Sequence, residues 1–478
     1  MHWLAEEDVA APPRTADAAE QDSPVRFSVA DMRADLLGTQ RRLAAEHGGF
    51  ARYRVLRRVF TLVADADANN QMFVREAGNY RRGPQYDNLA LMIGRGLICS
   101  DGEAWQRQRR MTQPAFGKAT IARVVQNTGT LTTQLLAAWE QAASRGEPVD
   151  VIDDMQHLAM RVIGMALFSR DLENDLQAGL ADQPGPDANG ARGTNCFTET
   201  VRSGVQVVAL RNFSPVLVPL WVPTRLHRRF RRALAAVDRF VYARIDERLA
   251  DPDGYDDMLA DLVRSYGDQA GAADTRRELR DQVVTLFFAG FETTAVALAW
   301  TWLLLGQHRA AEDAFHQELA AVLGGRAPAA EDLKALGYTS QVVQESMRMY
   351  SPVYTLTRQV MADDEVAGQQ VRRGDNVVIP IHALHHMPEY WDSPGSFCPE
   401  RFAPGALSEQ QRAAYLPFSF GHRRCLGASF ATAEMMTVLA VAGQRVRLRP
   451  ASDGPVTIVP AVTQRPAGGL KMVVEVRS

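Results

Sequence analysis

Residues 418–427 of the chain have the sequence FSFGHRRCLG and run directly into an apolar segment at 428–442. A single cysteine, Cys425, therefore lies where a loop is predicted to become a helix. Backbone N–H groups at the start of a helix carry partial positive charge, which favours a thiolate over a thiol. A thiolate here predicts either a ligand for a soft metal or a nucleophile.

The other residues of this loop suit the binding of a flat group. Gly421 permits a tight turn, and Gly427 lets a flat molecule approach the helix without meeting a Cβ atom. Arg423 can pair with an anionic group at the edge of such a molecule. The alternative is a buried cysteine between turn glycines, which a C-x-G pattern alone would favour. The complete FxxGxRxCxG spacing favours a binding loop.

Two further motifs lie on predicted helices upstream. Trp105 and Arg109 are four residues apart, although either alone is typical of a solvated amphipathic helix. Residues 289–294, AGFETT, interrupt an apolar run at 283–305 that is long enough to cross a bilayer. Because a charge at the membrane centre costs about 2.5 to 3.5 kcal/mol, Glu292 favours a helix in the protein core over a membrane span.

A glutamate and three arginines form the remaining pattern. Glu345 and Arg348 share one helical face, and Arg401 belongs to the segment PERF at 399–402. A carboxylate between two guanidiniums can satisfy their hydrogen bonds when all three are buried. For Glu345 and Arg348 alone, the alternative is a surface ion pair. Arg358 follows Arg348 by ten residues.

These motifs, in this order, resemble those of the cytochrome P450 family, and the likeness extends from about Val25 to the C-terminus. The resemblance implies a mainly α fold with small β-sheets (α+β) and a long central helix over the haem. It also implies one large domain at 25–478. Residues 1–24, rich in Ala, Asp and Glu, are expected to form a flexible leader.

The resemblance also implies residue roles around haem b (iron protoporphyrin IX). Cys425 is the implied axial thiolate ligand of the iron, and Thr293 and Glu292 are the implied catalytic pair for dioxygen binding and proton delivery. The implied cofactor-binding residues are Trp105, Arg109, Arg358, Phe418, Arg423, Cys425 and Gly427. The implied structural cluster is Glu345, Arg348 and Arg401. The implied substrate pocket contains Phe287, Gly290, Val353, Leu356 and Val462, with the segment 85–97.

The implied activity is that of a haem-thiolate monooxygenase, which inserts one atom of dioxygen into a lipophilic small molecule by hydroxylation or epoxidation. No G-x-G-x-x-G fingerprint of a flavin or nicotinamide site is present. Electrons are therefore expected from a separate ferredoxin or flavodoxin with its reductase. Arg107, Arg110 and Arg424 are candidates for a basic docking face for that partner.

Three alternatives stay open on the sequence. A haem-thiolate enzyme could use peroxide or rearrange a hydroperoxide without added electrons, although such members often lack the Glu-Thr pair. A haem-binding sensor or carrier would hold a ligand without turnover. A hydrolase would use Cys425 as a nucleophile activated by a histidine such as His422, and it would lack haem absorption.

Two other features have interpretations apart from haem. His382, His385 and His386 resemble a metal cluster, but Pro388 interrupts the helix that would align them, so a structural role is preferred. The apolar, proline-containing run at 213–223 is a candidate portal that touches a membrane or a carrier protein. Its alternative is a loop folded onto the core.

Composition excludes several classes of protein. The 478 residues are 46% hydrophobic and 23% charged, which provides a large core and excludes a disordered chain. The net charge of -3 gives no electrostatic attraction to nucleic acid. The four cysteines are too scattered for a disulfide framework, so reduced thiols in a bacterial cytoplasm are expected. The N-terminus has no signal-peptide pattern, and no transmembrane anchor is expected.

Helical periodicity dominates the chain up to about residue 340, for example over 120–143 and 228–249. The second of these begins with a basic run that is interpreted as a solvated helix start. The Gly/Pro/Asp/Asn-rich stretch 182–193 is predicted to be an exposed loop. A helix is predicted at 428–442. Extended runs are predicted at 355–360, 369–373, 376–380, 445–449 and 471–476.

Overall fold

The structure, a computed structural model, describes residues 25–27, 35–55, 58–172, 196–213 and 218–477. The predicted leader at 1–24 and the predicted loop at 182–193 lie outside the described residues. Of the candidate portal, residues 218–223 are described together with the helix that ends at Phe213.

Helices make up most of the described chain. In order they are α1 (Leu36–Glu46), α2 (Ala66–Asn70), α3 (Pro84–Ile93), α4 (Gly102–Thr112), α5 (Lys118–Arg145), α6 (Val151–Phe168), α7 (Cys196–Phe213), α8 (Arg225–Ala250), α9 (Met258–Tyr266), α10 (Ala273–Gln307), α11 (Arg309–Leu323), α12 (Gly337–Met349), α13 (Ile381–Leu384), α14 (Glu409–Ala414) and α15 (Ala428–Gly443). The helices predicted at 120–143 and 228–249 correspond to α5 and α8. Helix α8 begins where the Thr224 side chain accepts a hydrogen bond from the His227 N–H at 3.0 Å, which caps its first turn.

The central helix α10 is 35 residues long and contains the apolar run predicted at 283–305. Within the described residues, it is the one helix whose length and composition would allow it to cross a membrane. However, 78% of its most apolar 18-residue window is buried inside the protein. A helix that is apolar on all sides and buried is typical of a protein core, and this supports the interpretation as a core helix.

The strands are short. They are β1 (Val25–Phe27), β2 (Phe50–Val55), β3 (Arg58–Val63), β4 (Tyr80–Arg81), β5 (Val149–Asp150), β6 (Leu356–Val360), β7 (Asp364–Val366), β8 (Gln369–Val371), β9 (Asn376–Ile379), β10 (Val446–Pro450), β11 (Ile458–Pro460), β12 (Gln464–Pro466) and β13 (Lys471–Val476). The strand predicted at 471–476 has the observed bounds of β13. The other predicted strands differ from the observed ones by one or two residues at their ends.

The largest sheet has the strand order β1-β2-β3-β9-β6-β4. Strand β3 pairs in parallel with β9, with Phe60 opposite Asn376. Strand β6 pairs antiparallel with β9 and places Arg358 opposite Val377. The sheet therefore joins strands from the first 81 residues to strands beyond residue 355, and it includes β2 and β3 from the region where the sequence predicted mainly helix.

Contacts within the chain define two compact units. The first comprises Met1–Gly83, Thr132–Met155 and Thr293–Ser478, and all described strands belong to it. Its core includes the fully buried Leu62, Val377 and Trp391. The second unit comprises Pro84–Leu131 and Gln156–Glu292, and in its described residues it is helical.

Candidate functional site

The loop before α15 forms a closed turn that presents Cys425. The Cys425 N–H donates a hydrogen bond to the Phe418 carbonyl oxygen at 2.8 Å, and the Arg424 N–H donates to the Gly421 oxygen at 3.1 Å. The side chain of Cys425 is exposed, whereas Phe430, one turn into α15, is buried. The fold thus holds the thiol outward at the start of a core helix, where partial positive charge favours the thiolate.

The two glycines of this loop differ in whether their backbone conformation requires glycine. Gly421 has a φ of +62°, and a Cβ atom there would lie 2.3 Å from the Phe73 carbonyl oxygen, so both backbone conformation and space require glycine. Gly427 has a φ of -83°, which any residue can adopt. The backbone at this position therefore does not require glycine.

Glu345 lies between two guanidinium groups in the first unit. Its Oε2 accepts from Arg348 Nε at 2.7 Å, and its Oε1 accepts from Arg348 Nη2 at 2.8 Å and from Arg401 Nε at 3.3 Å. The Cys398 N–H also donates to Oε1, at 3.0 Å. Glu345 and Arg348 are fully buried. The structure therefore brings together the three side chains that the sequence grouped, with the carboxylate fully hydrogen-bonded.

Arg348 also ties this cluster to the chain that leads to Cys425. Its Nη1 donates to the carbonyl oxygens of His385 and Pro394 at 2.8 and 2.9 Å. Its guanidinium centre lies 5.4 Å from the ring centroid of Trp391, within the range of a cation–π contact. All five donors of a guanidinium need partners when buried, and these carbonyls supply several of them.

His385 connects α12 to the segment before residues 418–427, the loop that contains Cys425 and that we call the cysteine loop. Its Nε2 accepts a hydrogen bond from the Leu416 N–H at 2.9 Å, so its Nδ1 is the protonated nitrogen that donates to the Arg348 carbonyl oxygen at 3.0 Å. Burial, followed by the charge of Arg348, lowers the pKa of His385 to about 3. His385 is therefore a neutral structural bridge.

The other two histidines are neighbours without a metal-binding arrangement. The rings of His382 and His386 are 4.3 Å apart, and burial lowers the pKa of His382 to about 3. No group of three or more His, Cys, Asp or Glu side chains in the described ranges could hold a metal ion. The structural role preferred for His382 and His386 stays a prediction.

Arg358 is a buried cation on strand β6. It is 3% exposed, donates from Nη1 to the Thr357 carbonyl oxygen at 2.8 Å, and stacks 4.9 Å from the ring centroid of Phe73. Phe73 therefore contacts Arg358 through its ring, while its carbonyl oxygen leaves no room for a side chain at Gly421. Phe73 and Arg358 are candidates for the same cofactor environment in the first unit.

Trp105 and Arg109 lie on α4 in the second unit. They are one turn apart, and the Arg109 guanidinium centre is 5.8 Å from the Trp105 ring centroid. Both side chains are partly exposed.

Of the three arginines that are candidates for docking a redox partner, Arg107 on α4 already pairs with Glu278, at 2.9 Å. Arg110 and Arg424 are exposed on the second and first unit respectively.

The middle of α10 has an uncovered stretch. Between residues 282 and 305 every side chain is buried except four, Ala289, Gly290, Glu292 and Thr293, which are partly exposed. Glu292 Oε2 accepts a hydrogen bond from Gln156 Nε2 at 2.7 Å. The predicted catalytic pair, Glu292 and Thr293, is therefore partly exposed within an otherwise buried part of α10. The Gln156 amide orients the Glu292 carboxylate.

The predicted substrate residues differ in accessibility. Phe287 is fully buried, and its ring centroid lies 4.1 Å from that of Phe197. In the structure, the Phe287 side chain therefore exposes no surface for the predicted contact with substrate. Gly290 is partly exposed, and a Cβ atom there would meet Ile163 at 3.1 Å. In the first unit, Val353 and Leu356 are partly exposed and Val462 is 48% exposed. Their substrate roles stay predictions.

The family of the chain follows from comparison with known proteins. The family model of cytochrome P450 matches residues 24–470. The chain is a member of the cytochrome P450 family. The predicted family is thereby confirmed, and so is the mainly α fold with small β-sheets. Members are haem-thiolate monooxygenases that use haem b, dioxygen, a redox partner and a small-molecule substrate.

Named relatives span most of this P450 chain. Cyclooctatin synthase of Streptomyces melanosporofaciens is 32% identical over 90% of this chain and 89% of its own. Cyclooctat-9-en-7-ol 5-monooxygenase of the same organism is 33% identical over 78% of this chain and 76% of its own. The crystal structure of the cytochrome P450DA heme domain superimposes with a TM-score of 0.79 at 22% identity, covering 93% of this chain and 94% of that one.

The residues of this P450 fit haem. The exposed Cys425 thiol supplies a soft anionic ligand, Gly427 adds no side chain beside it, and the buried Arg358 supplies a cation for a carboxylate.

Sequence inspection missed two side chains that contact predicted site residues. Gln156, which holds Glu292, is separated from it by 136 positions. Phe73, which contacts Arg358 and restricts Gly421, lies in a short helical segment without a motif. Neither has a local signal, because each acts through a neighbour that only the fold brings close.

Proposed function

We propose that this P450 inserts one oxygen atom from dioxygen into a lipophilic small molecule, and that the Cys425 thiolate would hold the haem iron. The observation that carries the proposal is the uncovered Glu292–Thr293 pair within the buried helix α10, where Gln156 orients the carboxylate. The proposed cofactor contacts are Trp105, Arg109, Arg358, Phe418, Arg423 and Gly427. The cluster of Glu345, Arg348 and Arg401 would hold the chain beneath the cysteine loop.

When bound, haem supplies the activation of dioxygen, which thiolate ligation promotes by donating electron density to the iron. The protein supplies protons and substrate position. The Thr293 hydroxyl can donate and accept a hydrogen bond at the uncovered stretch. The Glu292 carboxylate, held at Oε2 by the Gln156 amide, can carry a proton from solvent toward Thr293. Proton delivery at this point favours water over peroxide as the second product.

The substrate class is proposed from the exposed apolar surface and the relatives. Helix α3 in the second unit presents partly exposed Leu89, Ala90 and Leu91, and the first unit presents Val353 and Leu356. One relative is named as a 5-monooxygenase of cyclooctat-9-en-7-ol, an unsaturated alcohol. We infer a largely hydrocarbon substrate, such as a terpenoid, with steroid, fatty acid or polyketide substrates as outcomes of screening.

The electron donor is proposed to be a separate ferredoxin or flavodoxin with its reductase, in the cytoplasm of a bacterium. The sequence given contains no dinucleotide-binding fingerprint of the G-x-G-x-x-G kind. The exposed Arg110 and Arg424 support docking of an acidic partner. Charge reversal at both should slow reduction, whereas reversal at Arg107 also breaks its pair with Glu278.

The test is turnover of a screened lipophilic substrate under two conditions. With dioxygen, NADH, ferredoxin and reductase, the proposal predicts product in proportion to NADH consumed. With peroxide alone, it predicts little product. The proposal is wrong if peroxide alone supports the full rate, which identifies a peroxide-using enzyme. It is also wrong if NADH is consumed without product for compounds that shift the haem absorption spectrum on binding, which identifies a sensor or carrier.

A further inference from the structure

Phe73 contacts two parts of the first unit that the sequence assigns to cofactor binding. The Arg358 guanidinium lies over its ring, with the central carbon 4.9 Å from the ring centroid. Its backbone carbonyl oxygen would lie 2.3 Å from a Cβ atom at Gly421, in the cysteine loop. The side chains of Phe73 and Arg358 are both buried. One buried residue therefore packs against a candidate haem-binding arginine and against the loop that carries Cys425.

The chain on both sides of Phe73 is fastened to strand β6 or to the segment just after it. Phe73 lies in a π-helical turn, Gln71–Arg75, a rare geometry that is frequent at functional sites. At the start of this turn, Gln71 donates from Nε2 to the Glu365 carbonyl oxygen at 2.7 Å. After the turn, β4 pairs antiparallel with β6, the strand that carries Arg358. The fold therefore fixes the ring relative to the guanidinium.

The Phe73 ring can order the Arg358 guanidinium without neutralising its charge. The face of an aromatic ring attracts a cation through its quadrupole, and the ring carries no net negative charge. A carboxylate that reaches Arg358 therefore still meets a cation. An arginine side chain that rotates freely becomes ordered when it binds a carboxylate, and this ordering lowers affinity about two- to tenfold. A guanidinium that a ring already orders avoids most of this loss.

We propose that Phe73 is a positioning residue for haem, because its ring orders the Arg358 guanidinium before the cofactor binds. The inference rests on the proposed function, in which Arg358 contacts a carboxylate of haem. The ring acts through Arg358, whereas the contact with Gly421 is made by the Phe73 backbone and does not depend on the side chain. A residue that served packing alone would affect haem binding equally with and without Arg358.

The experiment measures the release of haem from the ferric full-length protein to excess apomyoglobin, followed by absorbance. Phe73→Leu removes the ring and keeps an apolar side chain, Arg358→Met removes the cation, and the double variant combines the two changes. The control is Phe315→Leu, which also removes a fully buried ring of the first unit. The Phe315 ring lies on α11, 5.2 Å from the ring of His316.

Phe73→Leu should release haem about two- to tenfold faster than wild type, whereas Phe315→Leu should release it at nearly the wild-type rate. In the Arg358→Met background, Phe73→Leu should change the rate little further, because two residues that act through one contact are not additive. The reduced carbon monoxide complex of Phe73→Leu should keep the band of thiolate ligation, since its backbone contact with the cysteine loop is unchanged. If Phe73→Leu does not fold, Phe73→Met provides the same comparison with a more adaptable side chain.

Four results would overturn the proposal while leaving the proposed function intact. They are equal release rates for wild type and Phe73→Leu, the same fold-change from Phe73→Leu with and without Arg358, equally fast release from Phe315→Leu, and loss of the thiolate band in Phe73→Leu. By contrast, a wild-type chain that binds no haem would refute the proposed function together with this inference.

Discussion

The Nε2 of His385 accepts a hydrogen bond from the backbone N–H of Leu416 at 2.9 Å. The bond joins the end of α13 to the segment that leads into the cysteine loop. The same ring donates from Nδ1 to the Arg348 carbonyl oxygen, so one neutral imidazole connects the buried Glu345–Arg348 pair to the chain that positions Cys425. The bridge works only while the ring is uncharged, because a protonated ring has no acceptor for the Leu416 N–H.

This bridge predicts loss of stability in acid. The pKa of His385 is about 3 in the folded chain and about 6.5 in an unfolded one. The unfolded chain therefore takes up the proton first, and stability should fall as pH drops from about 6.5 toward 3, by up to about 1.4 kcal/mol per pH unit. His382 titrates in the same window.

The measurement is urea unfolding of wild type and His385→Asn at pH 7 and pH 5. The variant should be less stable at pH 7, because it loses the bridge, but it should lose less stability between the two pH values than wild type. An identical pH dependence in both proteins would contradict the assignment of His385 as a buried neutral histidine.

The stability cost of a substitution in the cluster of Glu345, Arg348 and Arg401 should increase with the burial of the ion pair that it breaks. Glu345→Gln leaves the buried Arg348 without its counter-charge, and breaking a buried pair costs about 3 to 5 kcal/mol. Arg401→Gln should cost less, because Arg401 is 14% exposed and 3.3 Å from the carboxylate. The exposed pair Arg277–Asp274 is the control, and Arg277→Ala should cost less than about 1 kcal/mol. Thermal unfolding that ranks Glu345→Gln with Arg277→Ala would refute the order.

Gln156 is predicted to act as a positioning residue for Glu292. Gln156→Ala removes the 2.7 Å hydrogen bond to Glu292 Oε2, so product per NADH should fall about tenfold or less, with KM little changed. Glu292→Gln should lower it further, about 100-fold, in line with loss of a proton-transfer group. The exposed Gln126 on α5 provides the control. If Gln156→Ala raises KM and leaves coupling to NADH intact, the side chain serves substrate binding instead.

The buried Glu434 on α15 is predicted to lower the stability of the folded protein as the pH rises above about 4.3. It is 1% exposed, its Oε1 lacks a hydrogen-bond partner among the described residues, and burial raises its pKa well above the ordinary value. The unfolded chain releases this proton near pH 4.3 while the folded chain keeps it. Stability is therefore lost as pH rises from about 4.3 toward the folded pKa, by about 1.4 kcal/mol per pH unit.

Glu434→Gln removes this titration and keeps the shape of the side chain. Its stability advantage over wild type should be small at pH 4 and large at pH 7, as measured by urea unfolding. The exposed Glu103→Gln should show no such change. A constant difference between Glu434→Gln and wild type at both pH values would show that the carboxyl is ionised in the folded protein.

Local spacing explains which parts of this molecule were predictable. Glu345 and Arg348 are three residues apart on one helix, and the cysteine loop is closed by a hydrogen bond between Cys425 and Phe418, seven positions apart. Strand β2 had a readable signal too, since Ala51, Tyr53 and Val55 are buried in alternation with arginines. Its sheet partners were not predictable, because parallel pairing of β3 with β9 joins segments more than 300 residues apart.

The most direct test of the central claim is the carbon monoxide spectrum of the reduced protein. Wild type should bind haem and give the red-shifted band of thiolate ligation, as should Cys398→Ala and Cys99→Ala. Cys425→Ala should lose that band, because no other thiol lies at the start of α15. A Cys425→Ala protein that still gives the thiolate band would contradict the account.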